Sequence, residues 1–340
     1  MSEESKINFE ELSRNAISKP LVKNLYTADP SAHVFNDRIY IYPSHDIDAG
    51  IPFNDNGDHF GMRDYHVFSM DNPNTDKVID HGVALDIDDV KWAKRQMWAP
   101  DIAKKGDQYF FYFPAKDYDD IFKIGVAVGK SPEGPFIPEK EPIKGSYSID
   151  PAVFKDSDKD YYMYFGGIWG GQLQKYRNNK YDIKNDLRND GDQAFGPLIS
   201  KLTNDMKGFS EEPREVLILD ENGDPLQAGD NKRRYFEGPW THKYNEKYYL
   251  SYSTGDTHFI CYAIGDNPYG PFTYAGKILE PVIGWTTHHS ICEFEGRWYL
   301  FYHDSVLSKG VTHLRSMKVT ELFYDNSGKI KTINPYKNLI

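Results

Sequence analysis

The chain has 340 residues, 40 Lys and Arg against 51 Asp and Glu for a net charge of −11, and 15 % aromatic content. That acidic balance disfavours nucleic acid, anionic membranes and polyanionic substrates, so a neutral sugar is a better ligand than a uronic-acid polymer. No stretch has the length and apolarity of a membrane span, and MSEESKINFEELSRN lacks the basic-then-apolar order of a secretion signal, so the expectation is a soluble cytoplasmic protein.

Residues 1–19 are polar and read as an N-terminal arm, with helical periodicity over Asn8–Lys19. From residue 20 to 340 one pattern recurs five times. A polar run passes through a turn into an aromatic strand: Asp29–Tyr42, Ala99–Phe113, Asp150–Tyr164, Glu237–Tyr252 and His288–Tyr302. The turns fall at Asn36-Asp37, Gly106-Asp107, Ser157-Asp158, Asn245-Glu246 and Glu295-Gly296. Alternating aromatics around tight turns predict β-hairpins, and their recurrence predicts an all-β, five-bladed propeller forming a single domain.

The first aromatic strand is followed by a long Asp-, Gly- and Asn-rich loop and then a strand over Tyr65–Met70. In the second blade Lys123–Gly129 is a third strand, closed by SPEGPF (131–136). The fourth blade repeats that ending in DNPYGPF, a second internal repeat independent of the first. Between the third and fourth blades, 172–235 is charged and irregular, with one helical turn expected near Leu198–Phe209; it is either a solvated insertion or a wall of the pocket rim. The C-terminal GVTHLRSMKVTELFYDNSGKIKTINP reads as a hairpin pair that closes the ring. Cys261 and Cys292 lie in apolar runs without metal-ligand spacing, and read as buried thiols suited to a reducing compartment.

Inner strands of a propeller line its axis, so the ionisable residues seven or eight positions before the turns converge on one funnel: Asp29, Asp150, Glu237 and His288. Asp29 and Asp150 both precede Pro, and Asp-Pro is a common turn starter. Phase argues for chemistry instead, because a purely structural requirement would recur in all five blades, whereas the second blade has Ala99 there. Two converging carboxylates are the minimum for glycoside hydrolysis, one as acid and one as base or nucleophile, and a third can tune the acid. Asp101, out of phase, reads as structural.

The motifs ADPSAHVF, MWAPDI, SIDPAVF, YFEGPW, TTHHS and HLRSM stand in this order from about Pro20 to about Ile333. Together they resemble glycoside hydrolase family 43, the five-bladed propellers acting on xylan and arabinan side chains and oligosaccharides. The resemblance implies an inverting mechanism with Asp29 as general base, Glu237 as general acid and Asp150 tuning and orienting Glu237. It places Arg315 against the sugar and the carboxylates. It also places His288, ahead of His289, beside a divalent ion on the axis, calcium held mostly by water. Trp98 and Trp169 are candidate platforms for a sugar ring, and Phe236 is placed to desolvate Glu237.

The resulting expectation is an exo-glycosidase releasing terminal β-D-xylose from neutral xylo-oligosaccharides, with loops 47–64 and 172–235 closing one end of the funnel. Terminal α-L-arabinofuranose, alone or with xylose, is the alternative. A non-catalytic glycan-binding propeller is the third reading, opposed by the presence of all three acids. A homo-oligomer is left open.

Overall fold

The computed structural model describes residues 7–75, 77–156, 160–285 and 287–337. Among them, five antiparallel sheets stand around a common axis. The first blade is β1 (Tyr26–Phe35), β2 (Arg38–Asp46), β3 (Asp64–Met70) and β4 (Ile79–Asp86). The second is β5 (Asp101–Lys105), β6 (Gln108–Lys116), β7 (Phe122–Gly129) and β8 (Ile137–Pro138). The third comprises β9 (Ala152–Lys155) and β10 (Tyr161–Phe165). A small side hairpin of β11 (Tyr176–Arg177) and β12 (Lys180–Tyr181) follows, and then β13 (Leu198–Lys201) and β14 (Arg214–Glu215) complete the sheet. The short β15 (Ile218–Leu219) joins the outer edge of the fourth blade, parallel to its last strand. That blade is β16 (Glu237–Tyr244), β17 (Lys247–Ser253), β18 (Ile260–Gly265) and β19 (Phe272–Leu279). The fifth is β20 (His289–Phe294), β21 (Arg297–Asp304) and β22 (Ser316–Leu322).

Aromatic side chains on the second strand of each blade make the packing between blades. Tyr42, Phe111, Tyr164, Tyr252 and Tyr302 are all buried. Burying such a ring contributes roughly 1.5–3 kcal/mol, and the alternate residues of each strand pack against the opposite neighbour. A buried phenol also needs a partner. Tyr42 donates to the Pro132 carbonyl (2.7 Å) and Tyr164 to the Pro268 carbonyl (2.5 Å). These acceptors sit in the two Gly-Pro-Phe turns, so that repeat receives the tyrosine of the preceding blade. Phe136 and Phe272, the last residues of the turns, are buried in the same way.

Two expectations are corrected. Leu198–Phe209 contains strand β13 and no helical turn, because Leu198, Ile199 and Ser200 are needed as the third strand beside β10. Ring closure is not the work of a C-terminal hairpin pair: β22 is the third strand of the fifth blade, and the N-terminal side meets it, Leu21 N–H donating to Met317 O (2.9 Å) and Thr27 N–H to Arg315 O (2.8 Å). The C-terminal stretch lies against the fourth blade, where Ile333 and Ile278 are joined by a 2.8 Å backbone bond. The Ser157-Asp158 turn lies outside the described residues.

The helix α1 (Phe9–Asn15) starts where Asn8 caps the Glu11 N–H (3.2 Å), with Glu10 and Glu11 in its first turn. Its buried Leu12 packs with Val306 and Tyr336. Cys261 and Cys292 are free and buried, and burial pushes both thiols up to about 12. Among the described residues, no helix is long and apolar enough to cross a membrane.

Candidate active site

The inner strands β1, β5, β9, β16 and β20 succeed one another around the axis, and their starts open into a pocket of about 620 Å³. Asp29, Asp150, Glu237, His288 and Arg315 line it together with Trp98, Trp169 and Phe236. These eight residues, all singled out from the sequence, therefore reach one cavity.

The local backbone explains how the carboxylates point inward. Asp29 and Asp150 adopt left-handed conformations (φ +49° and +58°) immediately before Pro30 and Pro151. In the fourth blade the left-handed residue before proline is Gly238 (φ +64°). The strand ladders agree: β1 breaks register after Ala28 and β16 after Glu237, so Gly238 corresponds to Asp29 and Glu237 to Ala28. The three acids thus do not share one equivalent position. Glu237 stands one residue upstream. Gly238 lends its N–H to Asp150 Oδ2 (2.9 Å), which ties the third and fourth blades beside the two acids.

Asp29 is tied down through both its carboxylate and its backbone. Arg315 Nη1 reaches Oδ1 (2.9 Å), Ser44 Oγ reaches Oδ2 (2.7 Å), and the Asp29 N–H donates to His303 Nδ1 (3.0 Å). His288 Nδ1 lies 3.6 Å from Oδ1. Burial works to raise the Asp29 carboxyl, but Arg315, His288, His303 and Ser44 outweigh it, and the net shift is downward. Arg315 is itself held by Asp46, through its backbone N–H (2.8 Å), Nε (2.8 Å) and Nη2 (2.7 Å).

Glu237 meets the opposite surroundings. Its burial raises the carboxyl well above the usual range, and Asp150 and Asp29 add like-charge repulsion that Arg315 only partly offsets. Asp150 is pushed up to about 6, first by burial, with Asp29 adding to it and His288 and the Gly238 N–H opposing. Phe236 packs edge-on to Trp169 (5.7 Å) and Trp285 (5.3 Å), so an aromatic wall flanks the acid.

The loop at 47–64 roofs the pocket. Trp98 Nε1 donates to Phe60 O (2.9 Å) and Gln96 Nε2 to Gly57 O (2.8 Å). On the far side, a Cβ at Gly170 would sit only 3.0 Å from the Asn56 carbonyl oxygen, so loops of the first and third blades touch across the opening. The stretch 172–235 contributes no described lining residue, correcting the expectation of a rim wall. Its residues are spent on β11–β15, the outer parts of the third and fourth blades.

Asp101 is buried and structural. It accepts from Ser31 Oγ (2.5 Å) and the Val153 N–H (2.5 Å), and contacts His33 Nε2 (2.6 Å). His289 is buried against Ser251 Oγ (2.6 Å), away from the role open to His288. Residues that the sequence reading missed are Ser44, Asp46, His59, Trp285 and His303. Asp46 and His303 carried no signal, since strand pairing alone brings them to the axis. A divalent ion would find His288 as a protein ligand here. Among the described residues no further His, Cys, Asp or Glu gathers with it into a three-residue set, so only an ion completed largely by water fits.

The family model described as glycosyl hydrolases family 43 matches residues 17–330. A xylosidase/arabinosidase 43A of Humicola insolens is 61 % identical over 93 % of this chain and 99 % of its own length. A beta-xylosidase of Xylanibacter ruminicola is 55 % identical over 91 % of this chain and 97 % of its own. The crystal structure of a beta-xylosidase/alpha-arabinofuranosidase from a compost microbial metagenome, with xylotriose and in a calcium-free form, superposes with a TM-score of 0.92. It is 64 % identical and covers 95 % of this chain and 99 % of its own. With the five blades, the three inward carboxylates and a match over nearly its whole length, the chain belongs to glycoside hydrolase family 43.

Proposed function

We propose that the protein is an inverting exo-glycosidase that releases terminal β-D-xylose from xylo-oligosaccharides, and accepts terminal α-L-arabinofuranose as a second substrate. The observation that carries the reading is the contrast between two buried carboxyls of one pocket, Asp29 held low and Glu237 held high. At neutral pH the first is a base and the second an acid, which is the division of labour that glycoside hydrolysis requires.

In the reaction Asp29 takes a proton from water, and the oxygen attacks the anomeric carbon from the face opposite the leaving group. Glu237 donates its proton to the glycosidic oxygen as the bond breaks. The products are a sugar of inverted anomeric configuration and a shortened oligosaccharide; Asp29 ends protonated and Glu237 ionised, and solvent restores both. Arg315 keeps Asp29 ionised, and Asp150 helps keep Glu237 protonated. Trp169 Nε1 and His59 Nε2 are buried without a hydrogen-bond partner among the described residues, and both residues line the pocket. Burial, with His313 and Arg315, lowers His59 to about 4, so its ring is neutral. These two atoms are suited to sugar hydroxyls. The roof over the pocket supports removal of terminal units. A calcium ion, when bound, would have His288 as its protein ligand and would supply positive potential near the carboxylates.

The test is hydrolysis of 4-nitrophenyl β-D-xylopyranoside and 4-nitrophenyl α-L-arabinofuranoside side by side, with proton NMR of the first-formed xylose from xylobiose. Release from both, faster on the xyloside and with the α-anomer appearing first, is expected. A β-anomer first, or no release from either, overturns the proposal.

A further inference from the structure

The first blade carries a cluster that the pocket chemistry does not use. His45 lies near the end of β2, Asp64 opens β3, and His66 follows two residues later on the same face. The ladder pairs Ile39 with Met70 and Ile41 with Phe68; run onward, that register sets His45 opposite Asp64. One ligating atom from each of the three lies within 4.8 Å of the others. His45 Nδ1 and Asp64 Oδ1 are 2.6 Å apart, and the two imidazole centroids are 5.0 Å apart. Asp80, on β4, holds His66 Nδ1 at 2.9 Å and 3.2 Å, which leaves Nε2 of that ring available. The three side chains are 16 %, 20 % and 15 % exposed, sheltered by the sheet yet open to an ion from solvent.

We propose that His45, Asp64 and His66 form a binding site for one divalent transition-metal ion of the zinc class, separate from the propeller axis. Two imidazoles and one carboxylate are a donor set for zinc and poor for calcium, which takes six to eight oxygens. Tetrahedral zinc, with bonds of about 2.0–2.2 Å, spaces its donors roughly 3.3 Å apart. The 2.6 Å contact therefore opens, and the wider separations close, by movements that side-chain rotation supplies. Water fills the fourth position. Asp80 is the outer carboxylate that fixes the His66 ring and its tautomer, an arrangement that raises the basicity of a metal-bound histidine. The ion would staple the end of β2 to the start of β3, the two strands from which the pocket-roofing loop springs. His45 also adjoins Asp46, so the same staple steadies the grip on Arg315.

The test uses tag-free full-length protein, treated with chelator, dialysed and titrated calorimetrically with zinc chloride. One ion per chain is expected, with binding lost in His45→Ala and His66→Ala and retained in His288→Ala. Asp80→Asn should weaken it about 10–100-fold. X-ray absorption at the zinc edge should show two imidazoles. No saturable uptake means that the cluster is only a set of His–Asp hydrogen bonds, and overturns the proposal. So does uptake indifferent to His45 and His66, or abolished by His288→Ala alone. If an alanine variant fails to fold by circular dichroism, Asp64→Asn decides on the same terms.

Discussion

The two sides of the funnel bury the same functional group and shift its titration in opposite directions. On the side of the first and fifth blades, Asp29 faces the Arg315 guanidinium, the Ser44 hydroxyl and two imidazoles. On the side of the third and fourth blades, Glu237 faces Asp150 and an aromatic wall. Burial is common to both and raises both, so what separates them is the charge of the neighbours. Depth alone does not make an acid or a base; one paired arginine, or one more carboxylate, decides which.

The strongest way to break the contrast is to neutralise each member. Asp29→Asn and Glu237→Gln should each lower kcat by about 10²–10⁴-fold. The two losses should differ in kind. An activated 4-nitrophenolate departs with little help from an acid, whereas a sugar alcohol does not. Glu237→Gln should therefore lose more on xylobiose than on the aryl xyloside, and Asp29→Asn should lose equally on both. Equal losses for both variants on both substrates would undo the assignment of roles.

Stability should move in opposite directions on the two sides. Asp46 makes three of the hydrogen bonds that hold the buried Arg315. Breaking a buried pair from one side costs about 3–5 kcal/mol, so Asp46→Ala should lower the denaturation midpoint markedly. Glu237→Gln should raise it near neutral pH. The folded-state carboxyl of Glu237 titrates above its unfolded value, so stability falls as pH rises from the unfolded value towards the folded one. Glutamine removes that loss, and the advantage should vanish below about pH 4, where the unfolded carboxyl is protonated too. Urea denaturation at pH 4 and pH 7 measures both changes.

How much of this was legible in the chain depends on whether a feature repeats. The blades and their Gly-Pro-Phe turns were readable because each blade restates the same alternation of aromatics. The inward acids were readable because they break that repetition at fixed places. The one-residue offset of Glu237 was not, because it rests on where each strand bulges, and Gly238 looks like an ordinary turn residue until its φ of +64° is seen. The Asp46–Arg315 pair joins positions 269 residues apart, and only the closed ring brings them together. The N-terminal share in closure was not legible either, since it rests on backbone bonds, Leu21 N–H to Met317 O and Thr27 N–H to Arg315 O, that leave no side-chain pattern.

The finest test of the contrast concerns Asp150, which lends charge to one side only. Removing its carboxylate as Asp150→Asn takes away the larger of the two like-charge repulsions on Glu237, although burial continues to hold that carboxyl up. The Glu237 acid should then lose its proton at a lower pH. The alkaline limb of kcat against pH should move towards acid, while the acid limb, set by Asp29, shifts much less. Asparagine also gives up the carboxylate that accepts the Gly238 N–H, but its amide oxygen can accept in its place, so the backbone at Gly238 should hold. A lower rate with both limbs unmoved would make Asp150 a structural tie between blades. A displaced alkaline limb would make it the group that keeps the acid protonated.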